Sequence, residues 1–477
     1  MSDAAPPFAT LAAIARQLAS GEVSSTELTE SYLRSIEAMD DKLNAFRMVT
    51  GDRAMDAAAA ADKLRARGQT LGPLHGIPYA AKDLYDVAGL PTSAGAKVLE
   101  TNIAERNCRT VDDLQAAGMV LLGKTNTVQF AYGGVGVNHD HGTPHNPWSE
   151  TLHAPGGSSS GSGVAVASGM APMALGTDTG GSVRIPSALC GISGLKTTVG
   201  RVSRAGVYPL SWSLDSVGPL ARSVEDTAMV YEAITGEDPV DTSTLGQTRQ
   251  RVLRELDGDI RGMRVAFAET AFWEGANAEV VEKVRAVANT FEILGAEVSS
   301  VNFSPAGDAL ALNPGGLIIA AEAYTLNRAL VDNQFDELDP AISNRVIKGK
   351  DVMAADYLSN IRAWEQLRNE ARAAMRDVDV LLCPATMAPA HPVAEIDADP
   401  DTYSHYNLQY LRNTSIGNIL NLCGLSVPCG FTSKGLPVGL MIYAKSFDEV
   451  TALRAGHAYQ QATDWHLHTP DLDWVDD

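Results

Sequence analysis

Two stretches made almost entirely of glycine and hydroxyl residues restrict this chain more than anything else in it. Pro155-Gly156-Gly157-Ser158-Ser159-Ser160-Gly161-Ser162-Gly163 runs straight into the small apolar segment Val164-Ala165-Val166-Ala167. The apolar run Pro172-Met173-Ala174-Leu175 leads into Gly176-Thr177-Asp178-Thr179-Gly180-Gly181-Ser182-Val183-Arg184-Ile185-Pro186. Alone, such tracts read as a flexible linker or a structural turn. Next to apolar runs they are pinned to a core. Residues without bulk then let backbone fold tightly while still offering donors and acceptors.

The surrounding pattern indicates an α/β core. From about residue 74 to 222, short apolar runs such as Val120-Leu121-Leu122 alternate with Gly/Ser/Thr loops, as in buried strands of a sheet covered on both faces. Residues 10–68 read as helices. Ser24 and Glu27 fit a capping box, with Leu28, Tyr32, Leu33 and Ile36 on one apolar face. Asp52 to Arg67 is Ala-rich and stops at Gly68, the expected cap. Helices are expected again over 278–295 and 355–376, and strands over Val378–Cys383, Gly424–Gly430 and Val438–Tyr443. No linker divides the chain. We expect one domain over 1–477: N-terminal helices to 68, a core over 69–230, a helical insertion over 231–376 and a return to the core over 377–477.

The formal charge of −21 disfavours phosphate backbones and anionic membranes, so no nucleic-acid or membrane partner is expected. Five cysteines without a C-x-x-C pair argue against a disulfide framework or a thiolate metal site. Met1 to Thr10 has neither the basic nor the apolar region of a signal peptide, and a soluble cytoplasmic protein follows as the expectation. Without a signal peptide, the sequons at Asn302 and Asn413 carry no meaning. No H-E-x-x-H or other metal-ligand spacing occurs, so neither metal nor cofactor is expected.

Two motifs compete with the main reading. Gly118-Met119-Val120-Leu121-Leu122-Gly123-Lys124-Thr125 satisfies the P-loop expression, but its middle is an apolar run that would itself be the strand, leaving no phosphate loop. Gly157-Ser158-Ser159-Ser160-Gly161 satisfies the nucleophile-elbow expression around Ser159. Loop chemistry precedes it rather than a strand, although His391, His405, His457, His466 and His468 would be available to a Ser-His-Asp enzyme.

A third segment, Gly76-Ile77-Pro78-Tyr79-Ala80-Ala81-Lys82-Asp83, places a lysine after a largely apolar run. Lys82 is either an ordinary snorkelling side chain or a desolvated amine able to act as a base. Thr179, Gly180 and Gly181 precede Ser182, and successive N–H groups beside a nucleophile are the material of an oxyanion hole. Asp178 and Arg184 are expected to pair and hold that loop.

Taken together, the three segments resemble the amidase-signature family. The spacing of Ser158 and Ser182 agrees with the family pattern, and Gly-Thr-Asp-Thr-Gly-Gly-Ser-Val-Arg-Ile-Pro over 176–186 is a demanding match. Gly194–Ser203, Asp215–Arg222, Gly123–Asn126, Asn146–Trp148 and Gly435–Leu440 continue it. One departure is Ser160, where the family usually has glycine. The resemblance implies a mixed twisted sheet covered by helices on both faces. It also implies Ser182 as nucleophile, Ser158 as a bridge after a cis Gly157–Ser158 peptide, and Lys82 as the base that returns the proton to the leaving amine. The oxyanion would meet the backbone of Thr179, Gly180, Gly181 and Ser182. Ala131, Tyr132, Gly133 and Gly134 would line the acyl pocket, an aromatic wall with room left by two glycines. Such a pocket suits an apolar or aromatic acyl or amine group, so the expected ligand is a small aryl or other apolar amide, with a carbamate or hydrazide as alternatives, and a homodimer is allowed. Glutamyl-tRNA amidotransferase catalytic subunits share this pattern, but usually carry Met-Asp-Glu where this chain has Thr127-Val128-Gln129. We therefore expect a stand-alone amidase. The alternative is the catalytic subunit of a tRNA-dependent amidotransferase, and a weaker one is a P-loop nucleotide binder.

Overall fold

The computed structural model describes residues 8–313 and 316–476. Most of the N-terminal decapeptide read above therefore lies outside the described residues. Eleven strands form one mixed sheet: β1 (Phe46–Val49), β2 (Pro78–Lys82), β3 (Val120–Thr125), β4 (Met173–Asp178), β5 (Ser193–Lys196), β6 (Ser216–Ala221), β7 (Arg264–Ala268), β8 (Glu297–Val301), β9 (Val380–Pro384), β10 (Cys423–Phe431) and β11 (Pro437–Ala444). Their order is β1-β3-β2-β4-β6-β5-β10-β11-β9-β7-β8. β3, β2 and β4 are parallel, the centre from β4 through β11 to β9 is antiparallel, and β9, β7 and β8 are parallel again.

Both faces are covered, as expected. Along β11, Leu440, Ile442 and Ala444 pack with helix Glu449–Gln461, while Met441 and Tyr443 pack with helices Pro305–Ala311 and Ala354–Ala374. Every residue of β11 is buried, so the strand reads as a continuous apolar run rather than an alternating one. The capping box is present: Glu27 N–H donates to Ser24 Oγ at 3.1 Å and Ser24 N–H to Glu27 Oε2 at 2.9 Å.

Two expectations need correction. The N-terminal segment includes β1, a short edge strand between helices Ser25–Leu43 and Gly51–Arg65. The insertion over 231–376 is not purely helical, since it supplies β7 and β8, which extend the sheet beyond β9. β8 is mostly solvent-exposed and rich in serine, so it carries little of the hydrophobic pattern that marks a strand. The helix over 51–65 ends at Arg65 with Ala66 as cap, and Gly68 (φ +72°) takes the left-handed turn just beyond.

β2 and β4 run parallel, so Lys82 and Asp178 end their strands at one edge of the sheet. The following loop is fixed by the expected pair: Arg184 Nε and Nη2 donate to Asp178 at 3.0 and 2.9 Å, both side chains fully buried. Arg184 also reaches Tyr443 Oη on β11 (2.7 Å) and Asn418 Oδ1 on helix Pro400–Ile419 (2.5 Å). Breaking such a pair strands an uncompensated buried charge. Arg184→Met is expected to destabilise the fold by about 3–5 kcal/mol, read as a lowered urea midpoint. An unchanged midpoint would show the pair to be dispensable.

Candidate active site

Lys82 is the last residue of β2 and is wholly buried. Its Nζ donates to Ser158 Oγ and Thr177 Oγ1, each at 2.8 Å. Burial lowers its pKa to about 7, against the upward pull of Asp178 and Asp215, neither of which bonds it. Ser158 follows a cis peptide from Gly157, as the resemblance implied. The Ser158 carbonyl accepts from Thr127 Oγ1 at 2.9 Å and from Val128 N–H at 3.2 Å, which ties the first glycine-rich tract to the loop after β3.

The second tract leaves β4 after Asp178. Its backbone turns at Gly181 (φ +144°), where a Cβ would come within 2.7 Å of both Ile185 Cδ1 and Thr414 Cβ. Thr414 Oγ1 donates to the Gly180 carbonyl at 2.6 Å, and Thr179 Oγ1 to Asp215 Oδ1 at 2.6 Å. Among the described residues, the N–H groups of Thr179, Gly180, Gly181 and Ser182 donate to nothing. The Ser182 hydroxyl also makes no hydrogen bond there, and the residue keeps 4% exposure. The structure therefore joins Lys82 to Ser158 by a hydrogen bond and brings the Ser182 segment beside them through Ser159 N–H, which donates to the Ser182 carbonyl at 3.3 Å.

Cavities open on either side of this loop. Thr177, Thr179 and Ala131 line one of about 220 Å³, with Leu84, Tyr208, Leu210, Trp212 and Asp215. Gly180 and Tyr132 line another of about 480 Å³, whose ionisable walls beyond the tyrosine are Arg345, Lys348, His405 and Arg412, all basic. The four expected pocket residues are thus divided. Ala131 faces one cavity and Tyr132 the other. Gly133 and Gly134 do not leave room: a Cβ at Gly133 would meet Val128 Cγ1 at 3.0 Å, and one at Gly134 would meet Leu411 Cγ at 2.8 Å. They are small because a helix packs onto them. The face of Tyr132 is also occupied, by the Arg345 guanidinium 4.0 Å from the ring centroid.

The competing motifs fail structurally. Val120–Thr125 is β3, so the P-loop expression falls on a strand. Ser159 is followed by helix Ser160–Ala167, no strand precedes it, and its Oγ donates to the Thr177 carbonyl at 3.3 Å rather than to a histidine. Ser160 is buried with its hydroxyl unpartnered.

Motif reading missed helix Pro400–Ile419 altogether. Asn407 accepts from Gly134 N–H (2.7 Å), Leu411 packs on Gly134 and Gly180, Thr414 bonds Gly180, and Asn418 Nδ2 donates to Asp178 (2.8 Å). These positions recur at helical spacing, so one stripe lies along the site loops.

The chain matches the amidase family model over residues 27–453. It belongs to the amidase family. With one subunit of the glutamyl-tRNA(Gln) amidotransferase of Thioalkalivibrio sulfidiphilus (strain HL-EbGR7) it shares 37% identity, over 97% of this chain and 98% of that one. Native peptide amidase from Stenotrophomonas maltophilia superimposes with a TM-score of 0.84 at 30% identity, covering 97% and 98% of the two chains. A 6-aminohexanoate cyclic dimer hydrolase does so with a TM-score of 0.88 at 26% identity, covering 98% and 99%. The chain is an amidase-family carbon–nitrogen hydrolase. Among the described residues no helix is long and apolar enough to cross a membrane.

Gly181→Ala places a methyl group against Thr414 and Ile185 in a backbone region that alanine rarely adopts. A melting temperature lowered by several degrees, together with a loss of hydrolysis, is the expected outcome. Wild-type values for both would show the turn to be tolerant.

Proposed function

We propose that the chain cleaves an amide C–N bond through an acyl-enzyme, with Ser182 as nucleophile, Ser158 as relay and Lys82 as base. The hydrogen bond from Lys82 Nζ to Ser158 Oγ carries this reading, because a buried amine held by two hydroxyls is poised to be neutral. Ser182 Oγ attacks the acyl carbon and its proton passes through Ser158 to Lys82. The developing oxyanion meets the free N–H groups of Thr179 to Ser182. Lys82 returns the proton through Ser158 to the departing nitrogen, which leaves as the amine. Water, activated by the same pair, then releases the carboxylic acid. Asp178 and Arg184 hold the loop, and a small amide is the ligand. A cytoplasmic setting suits the five unpaired, buried cysteines.

Two settings share this chemistry. The first is a catalytic subunit of a tRNA-dependent amidotransferase, and it has the wider support from relatives, at 37% identity across 97% of the chain. The second is a stand-alone amidase, supported by Thr127-Val128-Gln129 and by the likeness to peptide amidase. Assaying the purified chain alone separates them. Turnover of simple amides without a partner supports the stand-alone setting. Ammonia release from glutamine only after amidotransferase partner subunits are added supports the other.

Ser182→Ala is expected to abolish turnover with an unchanged melting temperature, and a fluorophosphonate to label Ser182 in the wild type. Labelling at Ser159 would overturn the assignment. Because Lys82 must be neutral in the free enzyme and its pKa is lowered to about 7, kcat/KM should rise through pH 7 and level off above it. Lys82→Ala should lose that limb and roughly 1,000-fold or more in rate, since a base and its nucleophile act as a unit. A pH profile unchanged in this variant would show Lys82 to be structural.

A further inference from the structure

The smaller cavity has no role in the chemistry above, yet its walls include residues tied to that chemistry. Thr177 bonds the Lys82 amine, and Thr179 opens the run of free N–H groups. Most of the remaining lining is apolar or aromatic, Leu84, Ala131, Val207, Tyr208, Leu210 and Trp212 among it, and its two carboxylates, Asp215 and Asp241, already accept from Thr179 Oγ1 (2.6 Å) and Arg204 Nε (3.2 Å). Tyr208 is held from two directions. Its ring is stacked with Phe130 at a centroid distance of 6.1 Å, and its hydroxyl donates to Asn327 Oδ1 at 2.7 Å. Its one arginine, Arg204, is bound to Asp241, to the Trp212 and Asp215 carbonyls and to Ser243. Trp212 is 45% exposed at the cavity wall. An open, mostly apolar cavity with a few polar groups held by other bonds is the ordinary form of a small-molecule subsite.

The loop from Thr177 to Gly180 passes from this cavity to the basic one. A carbonyl held at the free N–H groups between them must send its two substituents in different directions. The departing nitrogen must face the relay that protonates it, and Thr177 places the small cavity on the side of Lys82. We propose that this cavity receives the amine half of the substrate, an aryl or similarly flat apolar amine, while the acyl half points past Gly180 toward Tyr132. The inference rests on the hydrolytic reading above and names the substrate class for it. The bond broken is the C–N bond, and the arylamine leaves with the proton from Lys82.

The test compares acetanilide, whose ring is on the amine, with benzamide, whose ring is on the acyl carbon, and with acetamide. Tyr208→Ala and Trp212→Ala remove aromatic wall. Ala205→Phe fills the cavity from a partly exposed position. Each variant is expected to lose roughly 10- to 100-fold in kcat/KM for acetanilide, the range available from lost aromatic contact, with benzamide and acetamide within about twofold of wild type. The exposed Trp212 variant keeps the test readable if Tyr208→Ala folds poorly. Selective loss of benzamide, equal loss on all three substrates with an unchanged melting temperature, or no loss at all would overturn the assignment. A wild type that releases ammonia from benzamide but spares acetanilide overturns this inference alone. A wild type inert to all amides and unlabelled at Ser182 overturns the hydrolytic reading with it.

Discussion

The Arg184 guanidinium is the fixed point of this molecule. It is completely buried, and its hydrogen bonds reach three elements far apart in sequence: Asp178 at the end of β4, Asn418 on helix Pro400–Ile419 and Tyr443 on β11. Burial alone would raise the Asp178 pKa, but Arg184, with Lys196 and Asn418, holds it down at about 2. The second oxygen of Asp178 also accepts from Val183 N–H at 3.1 Å, the first residue after Ser182. The pair therefore fixes both ends of the loop that carries the candidate nucleophile. An apolar isostere would be no less stable in principle, since buried ion pairs seldom gain net energy over good packing. What it could not supply is several directed contacts from one planar group.

Lys82 is informative by contrast with its neighbours. Asp83 follows it just beyond the end of β2 and pairs with the buried Lys124 at 2.7 Å. Lys196, also buried, donates to the Thr197 and Leu422 carbonyls at 2.8 and 2.9 Å, and burial lowers its pKa to about 8. Among the described residues, the Lys82 amine hydrogen-bonds only hydroxyls. Of these three it alone contacts groups that can both donate and accept, and so pass a proton onward. The carboxylates that pull its pKa upward, Asp178 and Asp215, bond other groups, Arg184 and Thr179 among them.

The candidate site was largely legible in the sequence because its rules are local. Glycine where backbone must turn, serine where a hydroxyl is needed and a lysine closing an apolar run all sit within short windows. The capping box at Ser24 was legible for the same reason. β1 and β8 were not, because β1 is only four residues long and β8 exposes polar residues, so neither shows the pattern that reveals strands. Helix Pro400–Ile419 was recognisable neither as amphipathic nor as part of the site. Its inward stripe includes Asn407, Thr414 and Asn418, all buried, and polar residues in that stripe remove the contrast that a hydrophobic period depends on.

The segment over 131–134 is legible only in part from its sequence. Phe130 and Ala131 both adopt left-handed backbone, at φ +52° and +60°, which non-glycine residues seldom do. That reversal separates neighbours: Ala131 turns to the apolar cavity and Tyr132 to the basic one. Across the site, Thr179 and Gly180 are divided in the same way. A contiguous motif invites the assumption of a contiguous pocket, and here two motifs instead form the partition between two cavities. Glycine at 133 and 134 then serves the partition itself, by letting Leu411 and Val128 close on it. The walls beyond the motif residues are contributed by the loop over 207–212 on one side and by helix Pro400–Ile419 with the insertion on the other. Those walls carry no motif, which is why a chain can keep the family's loop nearly unchanged while its substrate changes.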